Sequence, residues 1–172
     1  MSDLANILSE IDPEKLTKQE LTSLLETATE LDRRGKQNRI DLYYPATGDL
    51  SRENYPKHME FFGAGVKYRE RCMIAANRVG KSEGVGAFEV SLHATGQYPD
   101  WWPGHRFDRD LTMWCGGDTG KTVRDIIQLK LLGPPGQFGT GMLRGDLIEG
   151  TTPKHGLPDA VESVKVRHIS GD

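Results

Sequence analysis

The sequence has only two cysteines, Cys72 and Cys115, in 172 residues. With no second thiol near either, neither a disulfide framework nor a zinc ribbon can be built. Both stand among apolar residues and are expected to be buried and inert. No run approaches the roughly 18 apolar residues that a membrane span requires. The opening Met1-Ser2-Asp3-Leu4 lacks the basic region and apolar core of a secretory leader. These absences point to a soluble chain with no membrane partner in a reducing cytoplasm. There is no internal repeat, and the 20 glycines and 9 prolines follow no collagen period; they signal turns, concentrated after Gly80. His58, His93, His105, His155 and His168 show no ligand spacing and read as ordinary surface or core residues. What remains is the size and composition of one globular domain, or one domain with an appendage.

The net charge of -3 is unevenly spread, because residues 1–32 hold eight acids against two bases and leave the rest of the chain at +3. The second part is therefore the better match for an anionic partner. Lys67, Arg69, Arg71, Arg78 and Lys81 lie within fifteen residues, opposed only by Glu70. A binding face for anions and a merely solvated basic face both remain open for this cluster.

Leu16, Leu21, Leu24, Leu25, Ala28 and Leu31 recur at three- and four-residue steps, so residues 13–34 are expected to form an acidic amphipathic helix. Thr17 and Glu20 fit a capping box, Leu16 and Leu21 a hydrophobic staple across it, and Arg33-Arg34-Gly35 a helix end. Residues 38–65 read as a mostly extended connector, with a short helix over 57–63 as an option. Cys72-Met73-Ile74-Ala75-Ala76 has the pattern of a strand buried on both faces, and 81–92 resumes a helical pattern. Residues 98–104 form a loop that Trp101 and Trp102 pin to the core. Leu111–Cys115 is a second buried-strand candidate, leading into a helix near 119–132 on which Arg124 and Lys130 read as solvated. Residues 161–169 alternate as a strand does. Strands alternating with helices predict an α/β domain with a largely parallel sheet.

Two segments end in Gly-Lys-Ser/Thr. Ala75-Ala76-Asn77-Arg78-Val79-Gly80-Lys81-Ser82 fits the phosphate-loop pattern at every fixed place but the first, where alanine stands for glycine. In such a loop the backbone N–H groups of residues 76–82 surround a phosphate, Lys81 brings a cation to the β/γ oxygens, and Ser82 offers a hydroxyl to Mg²⁺. Arg78 is placed to approach the γ-phosphate, to face DNA, or to remain solvated. The second segment, Cys115-Gly116-Gly117-Asp118-Thr119-Gly120-Lys121-Thr122, fits equally by pattern. It carries a carboxylate, Asp118, where an anion would sit, and lies outside the basic cluster; its alternative is a strand-to-helix turn with Thr119 as N-cap.

The run Arg71–Ser82 (RCMIAANRVGKS), with Gly96–Phe107 (GQYPDWWPGHRF), Leu111–Cys115 and Val123–Gln128 at matching intervals, resembles the N-terminal ATPase part of tailed-phage terminase large subunits over residues 38–170. The resemblance implies a P-loop NTPase-type, RecA-like (ASCE) parallel sheet flanked by helices. It also implies ATP and Mg²⁺ as cofactors, double-stranded DNA, a portal protein and a small terminase subunit as partners, a homo-oligomer at full length, and work at the procapsid in the host cytoplasm. Residues 1–37 then form an N-terminal helical segment and residues 38–172 a partial P-loop ATPase domain. The family pattern continues with an apolar strand ending in Asp-Glu and a C-terminal nuclease. Neither is matched here, since Asp146, Glu149, Asp159, Glu162 and Asp172 follow no apolar run. The chain is thus expected to be a front fragment that binds nucleotide through Lys81 and Ser82, its turnover in doubt and its nuclease site missing. A P-loop kinase or regulator acting on a small molecule, and a non-enzymatic binding domain, are the competing readings.

Overall fold

The computed structural model describes residues 17–171, with residues 31–36 described as backbone only. Contacts divide the chain into two units, at residues 36 and 37. Helix α1 spans Lys18–Gln37. Its capping box forms: the Thr17 N–H donates to Glu20 Oε2 at 2.9 Å and the Glu20 N–H to Thr17 Oγ1 at 3.4 Å. Leu16 and the expected first turn from residue 13 lie outside the described residues. The helix does not stop at Gly35 but runs two residues past it.

Residues 38–65 are not a mostly extended connector, although the helix offered over 57–63 does form. They form 3₁₀ turns at Arg39–Leu42 and Arg52–Asn54 and then helix α2, Pro56–Lys67, with Pro56 at its first position, where a missing N–H costs nothing. Helix α2 buries His58 and Phe62, four residues apart on one face. Around Phe62 sit Tyr44, Val85, Phe88, Leu92 and Trp102, forming an aromatic core. Tyr44 is central, with ring centroids 4.9 Å from Phe88 and 5.7 Å from Phe62, both edge-on. Trp102 pins its loop as expected, its indole N–H donating to the His105 carbonyl at 3.0 Å.

After a turn at 77–80, residues Lys81–Ala87 wind as a π-helix and pass into helix α3, Phe88–Thr95, which Gly96 ends in the left-handed region. A second helical run follows Thr119: an α turn Gly120–Thr122, a π-helical stretch Val123–Gln128 and an α turn Leu129–Leu132. Its end is closed by residues 139–143. Their N–H groups reach the carbonyls of Lys130, Leu131 and Leu132 at 2.9, 2.8 and 2.7 Å. Strands β1, Ile148–Pro153, and β2, Val161–Val166, pair antiparallel and cover a second core of Ala94, Leu132 and Leu143.

The class is α/β, but the parallel sheet is corrected: among the described residues the β1–β2 hairpin is the only sheet. Residues 71–76 and 111–117 form no strand, helix or turn and have no ladder partners. A strand buried on both faces needs cover on both, and here Ile74 and Trp114 are each 94% exposed. For the same reason Cys72 and Cys115, expected to be buried, are exposed.

Phe62 is fully enclosed, so Phe62→Ala is expected to lower unfolding free energy by about 3–5 kcal/mol. Urea titration should show a smaller loss for the half-buried neighbour Phe61→Ala. Equal losses would mean that the core is not centred on Phe62.

Candidate functional site

The aromatic core is joined to the 77–84 segment by two polar contacts, through Tyr44 and through His58, which also bond to each other. The Tyr44 hydroxyl donates to the Gly84 carbonyl at 2.7 Å and lies 2.7 Å from His58 Nδ1. His58 Nε2 lies 3.0 Å from the Val79 carbonyl. Burial pushes the His58 pKa down, favouring the neutral ring. With its proton on Nε2, the ring donates to Val79 and accepts at Nδ1, while Tyr44 divides its one proton between Nδ1 and Gly84. Glycine suits both ends of this clamp. A Cβ on Gly84 would stand 3.0 Å from the Tyr44 oxygen, and Gly80 has φ +82° with His58 Cε1 at 3.3 Å from where its Cβ would be.

The loop so held carries backbone strain. Arg78, which is not glycine, has φ 63°, a conformation that costs on the order of 1–3 kcal/mol and concentrates at binding sites. The Gly80 carbonyl accepts from the Val85 N–H at 3.1 Å, starting the π-helix one residue before the lysine. Such π turns are frequent at functional sites. Lys81 Nζ donates to the carbonyls of Ala75 and Ala76, both at 2.7 Å, folding its ammonium back over the loop.

Asn77, Arg78, Gly80, Lys81 and Ser82 line one cavity of about 380 Å³, together with Glu83 and Lys130. It thus gathers five of the seven residues singled out from the sequence. Val79 instead lines an adjoining hollow with Tyr55 and His58, and Ala76 contributes its carbonyl to Lys81. Arg78, Lys81 and Lys130 set three cations against one carboxylate. A polyphosphate with a bound divalent ion matches this donor set, with loop N–H groups and ammonium groups for the anion and the Ser82 hydroxyl for the metal.

Glu83 and Lys130 were not legible as site residues, and Lys130, read as solvated, is half-buried. Its Nζ donates to Glu83 Oε2 at 2.8 Å. The Tyr43 hydroxyl donates to Glu83 Oε1 at 2.6 Å, and the Arg39 guanidinium pairs with the same oxygen. Burial alone would push the Glu83 carboxyl up, but hydrogen bonds from Lys130 and Tyr43 and the charges of Arg39 and Lys130 outweigh it and hold the pKa at about 2. Tyr43 moves the other way, to about 12, through burial and its bond to Glu83.

The basic cluster seen in the sequence is divided. Arg71 faces inward, its Nη1 donating to the Phe61 carbonyl at 2.9 Å and to the buried Glu89 at 3.0 Å. The second Gly-Lys-Thr segment is a capped helix start: Thr119 Oγ1 accepts from the Thr122 N–H at 3.1 Å and Asp118 Oδ1 from the Thr119 N–H at 2.9 Å. Its carboxylate thus already occupies a loop donor. Asp146, Glu149 and Glu162 all form ion pairs on the β1–β2 side of the molecule, with Arg144, with Lys165 and Arg167, and with Lys154. Asp172 lies outside the described residues.

The lowered Glu83 pKa fixes a pH dependence. Its stabilisation is complete above pH 4.5, the ordinary value, and is lost as pH falls toward 2. Glu83→Gln is expected to cost on the order of 2 kcal/mol at pH 7 and much less at pH 3. Denaturation midpoints at the two pH values check this, and an equal cost at both would contradict it.

No family model matches the chain, and no solved structure matches it. The terminase large subunit of Salmonella phage P22 is 34% identical over a 133-residue alignment that covers 69% of this chain and 26% of that protein. The chain therefore spans about a quarter of the length of the curated relative it matches, and most of its own length is similar to a terminase large subunit.

Proposed function

We propose that this chain is the nucleotide-binding front part of a terminase large subunit, the motor that drives phage DNA into a procapsid. The observation that carries the reading is the cavity in which Arg78, Lys81 and Lys130 converge on the turn at Asn77–Ser82. Similarity to the P22 protein over most of the chain supports the packaging role over that of a small-molecule kinase or regulator.

In this reading ATP is the nucleotide. The loop backbone and Lys81 hold its phosphates and the Ser82 hydroxyl holds Mg²⁺, which withdraws charge from the phosphate oxygens when bound. Lys81 exchanges the carbonyls of Ala75 and Ala76 for anionic oxygens, stronger acceptors for an ammonium. Arg78 supplies a second cation from within the same turn. The DNA substrate, the portal and small-subunit partners, and assembly into an oligomer belong to the same proposal. Among the described residues, no helix is long and apolar enough to cross a membrane.

Calorimetric titration with Mg·ATP of the wild type, Lys81→Ala and Lys121→Ala tests the site. Loss of charge-assisted contacts worth about 1.5–3 kcal/mol is expected to weaken binding roughly 10- to 100-fold in Lys81→Ala, with Lys121→Ala like the wild type. No binding by the wild type, or dependence on Lys121 instead, would overturn the assignment.

A further inference from the structure

Lys130 is 47 positions beyond Glu83 in sequence, on the helical run that follows the other glycine loop, yet its ammonium faces the cavity of the Asn77–Ser82 turn. We propose that Lys130 is a third phosphate-binding cation of this site, for which Glu83 and the bound polyphosphate compete. The inference rests on the nucleotide reading above and adds to it a residue that neither loop motif contains.

Three features make the exchange feasible. The first is the electrostatics of release. A carboxylate that loses its sole partner in a half-buried site is costly. Glu83 would instead keep Tyr43 and Arg39 on Oε1 after Lys130 left Oε2. The second is reach. Glu83 directly follows Ser82, so an ammonium 2.8 Å from Glu83 Oε2 already stands beside the loop, at the end of a flexible four-carbon stem. The third is anchoring. The Lys130 carbonyl accepts from the Met142 N–H at 2.9 Å, and Leu131 and Leu132, the next two residues, are similarly held. The backbone is therefore fixed, and the exchange needs only side-chain rotation. A phosphate oxygen with more than one negative charge nearby is a stronger partner for the ammonium than a carboxylate shared among three donors. Glu83 thus holds Lys130 in place at a cost in ligand affinity.

A plain structural ion pair and a competing one differ in sign at Glu83. If Glu83 competes, Glu83→Gln frees Lys130 and tightens Mg·ATP binding. If the pair only supports the fold, Glu83→Gln and Lys130→Ala both weaken it. The experiment is calorimetry of Mg·ATP on the full chain for the wild type, Lys81→Ala, Lys130→Ala, Lys130→Arg and Glu83→Gln, with melting curves as the folding check. The expected result is about 10-fold weaker binding in Lys130→Ala, near-wild-type binding in Lys130→Arg, and binding several-fold tighter in Glu83→Gln. Wild-type affinity in Lys130→Ala, with loss in Lys81→Ala, would overturn the role of Lys130 while the nucleotide site stands. Weaker or unchanged binding in Glu83→Gln would overturn the competition even if Lys130→Ala fails to fold. No binding by the wild type would remove the nucleotide reading and this inference with it.

Discussion

The Tyr44 hydroxyl is the point on which the larger unit depends. Its ring is buried at the centre of the aromatic core, and its oxygen reaches the backbone of Gly84 and the ring of His58. A phenol buried without partners would destabilise the core. Satisfied by those two groups, it transmits the rigidity of the core to a glycine-rich turn that has little packing of its own. His58 carries the same connection to Val79. The turn can therefore hold Arg78 in a strained conformation and still keep one shape.

Beside this clamp, a second junction is built from charge. Glu83 binds Arg39 and Tyr43 from the segment before α2, and Lys130 from the second helical run. These partners come from two distant parts of the sequence, and their shared carboxylate closes one side of the cavity. Its low pKa expresses how far donors outweigh burial. The Tyr44 clamp sets the loop backbone, while the Glu83 junction sets the charge around it.

Local signals were legible in the sequence, and non-local ones were not. The Thr17–Glu20 box, the Thr119 cap, the Trp102 loop and the helix after Gly80 follow from residues within a few positions of one another. The apolar runs at 72–76 and 111–115 read as buried strands, and no strand forms at either. Pairing was not legible, because a ladder depends on neighbours that the run does not encode, and the exposed Ile74 and Trp114 mark where it is missing. Within 38–65 the short helix offered at 57–63 forms as part of Pro56–Lys67, while the 3₁₀ turns were hidden by residues such as Tyr44-Pro45 and Gly48 that read as loop punctuation. Lys130 escaped because helical spacing marks a face and cannot show a carboxylate 47 residues upstream. The spacing of Asn77–Ser82 suggested a phosphate loop with two cations of its own, and the approach of Lys130 to it is a property of the fold alone.

The turn at 77–82 and the π-helical stretch after it together form the proposed nucleotide site. Hydrogen–deuterium exchange with and without Mg·ADP measures this most directly, since bound phosphates should take up the loop's free N–H groups. The account predicts slowed exchange concentrated in residues 77–87, with residues 116–122 unchanged. Protection at 116–122, or none at either loop under saturating nucleotide, would contradict it.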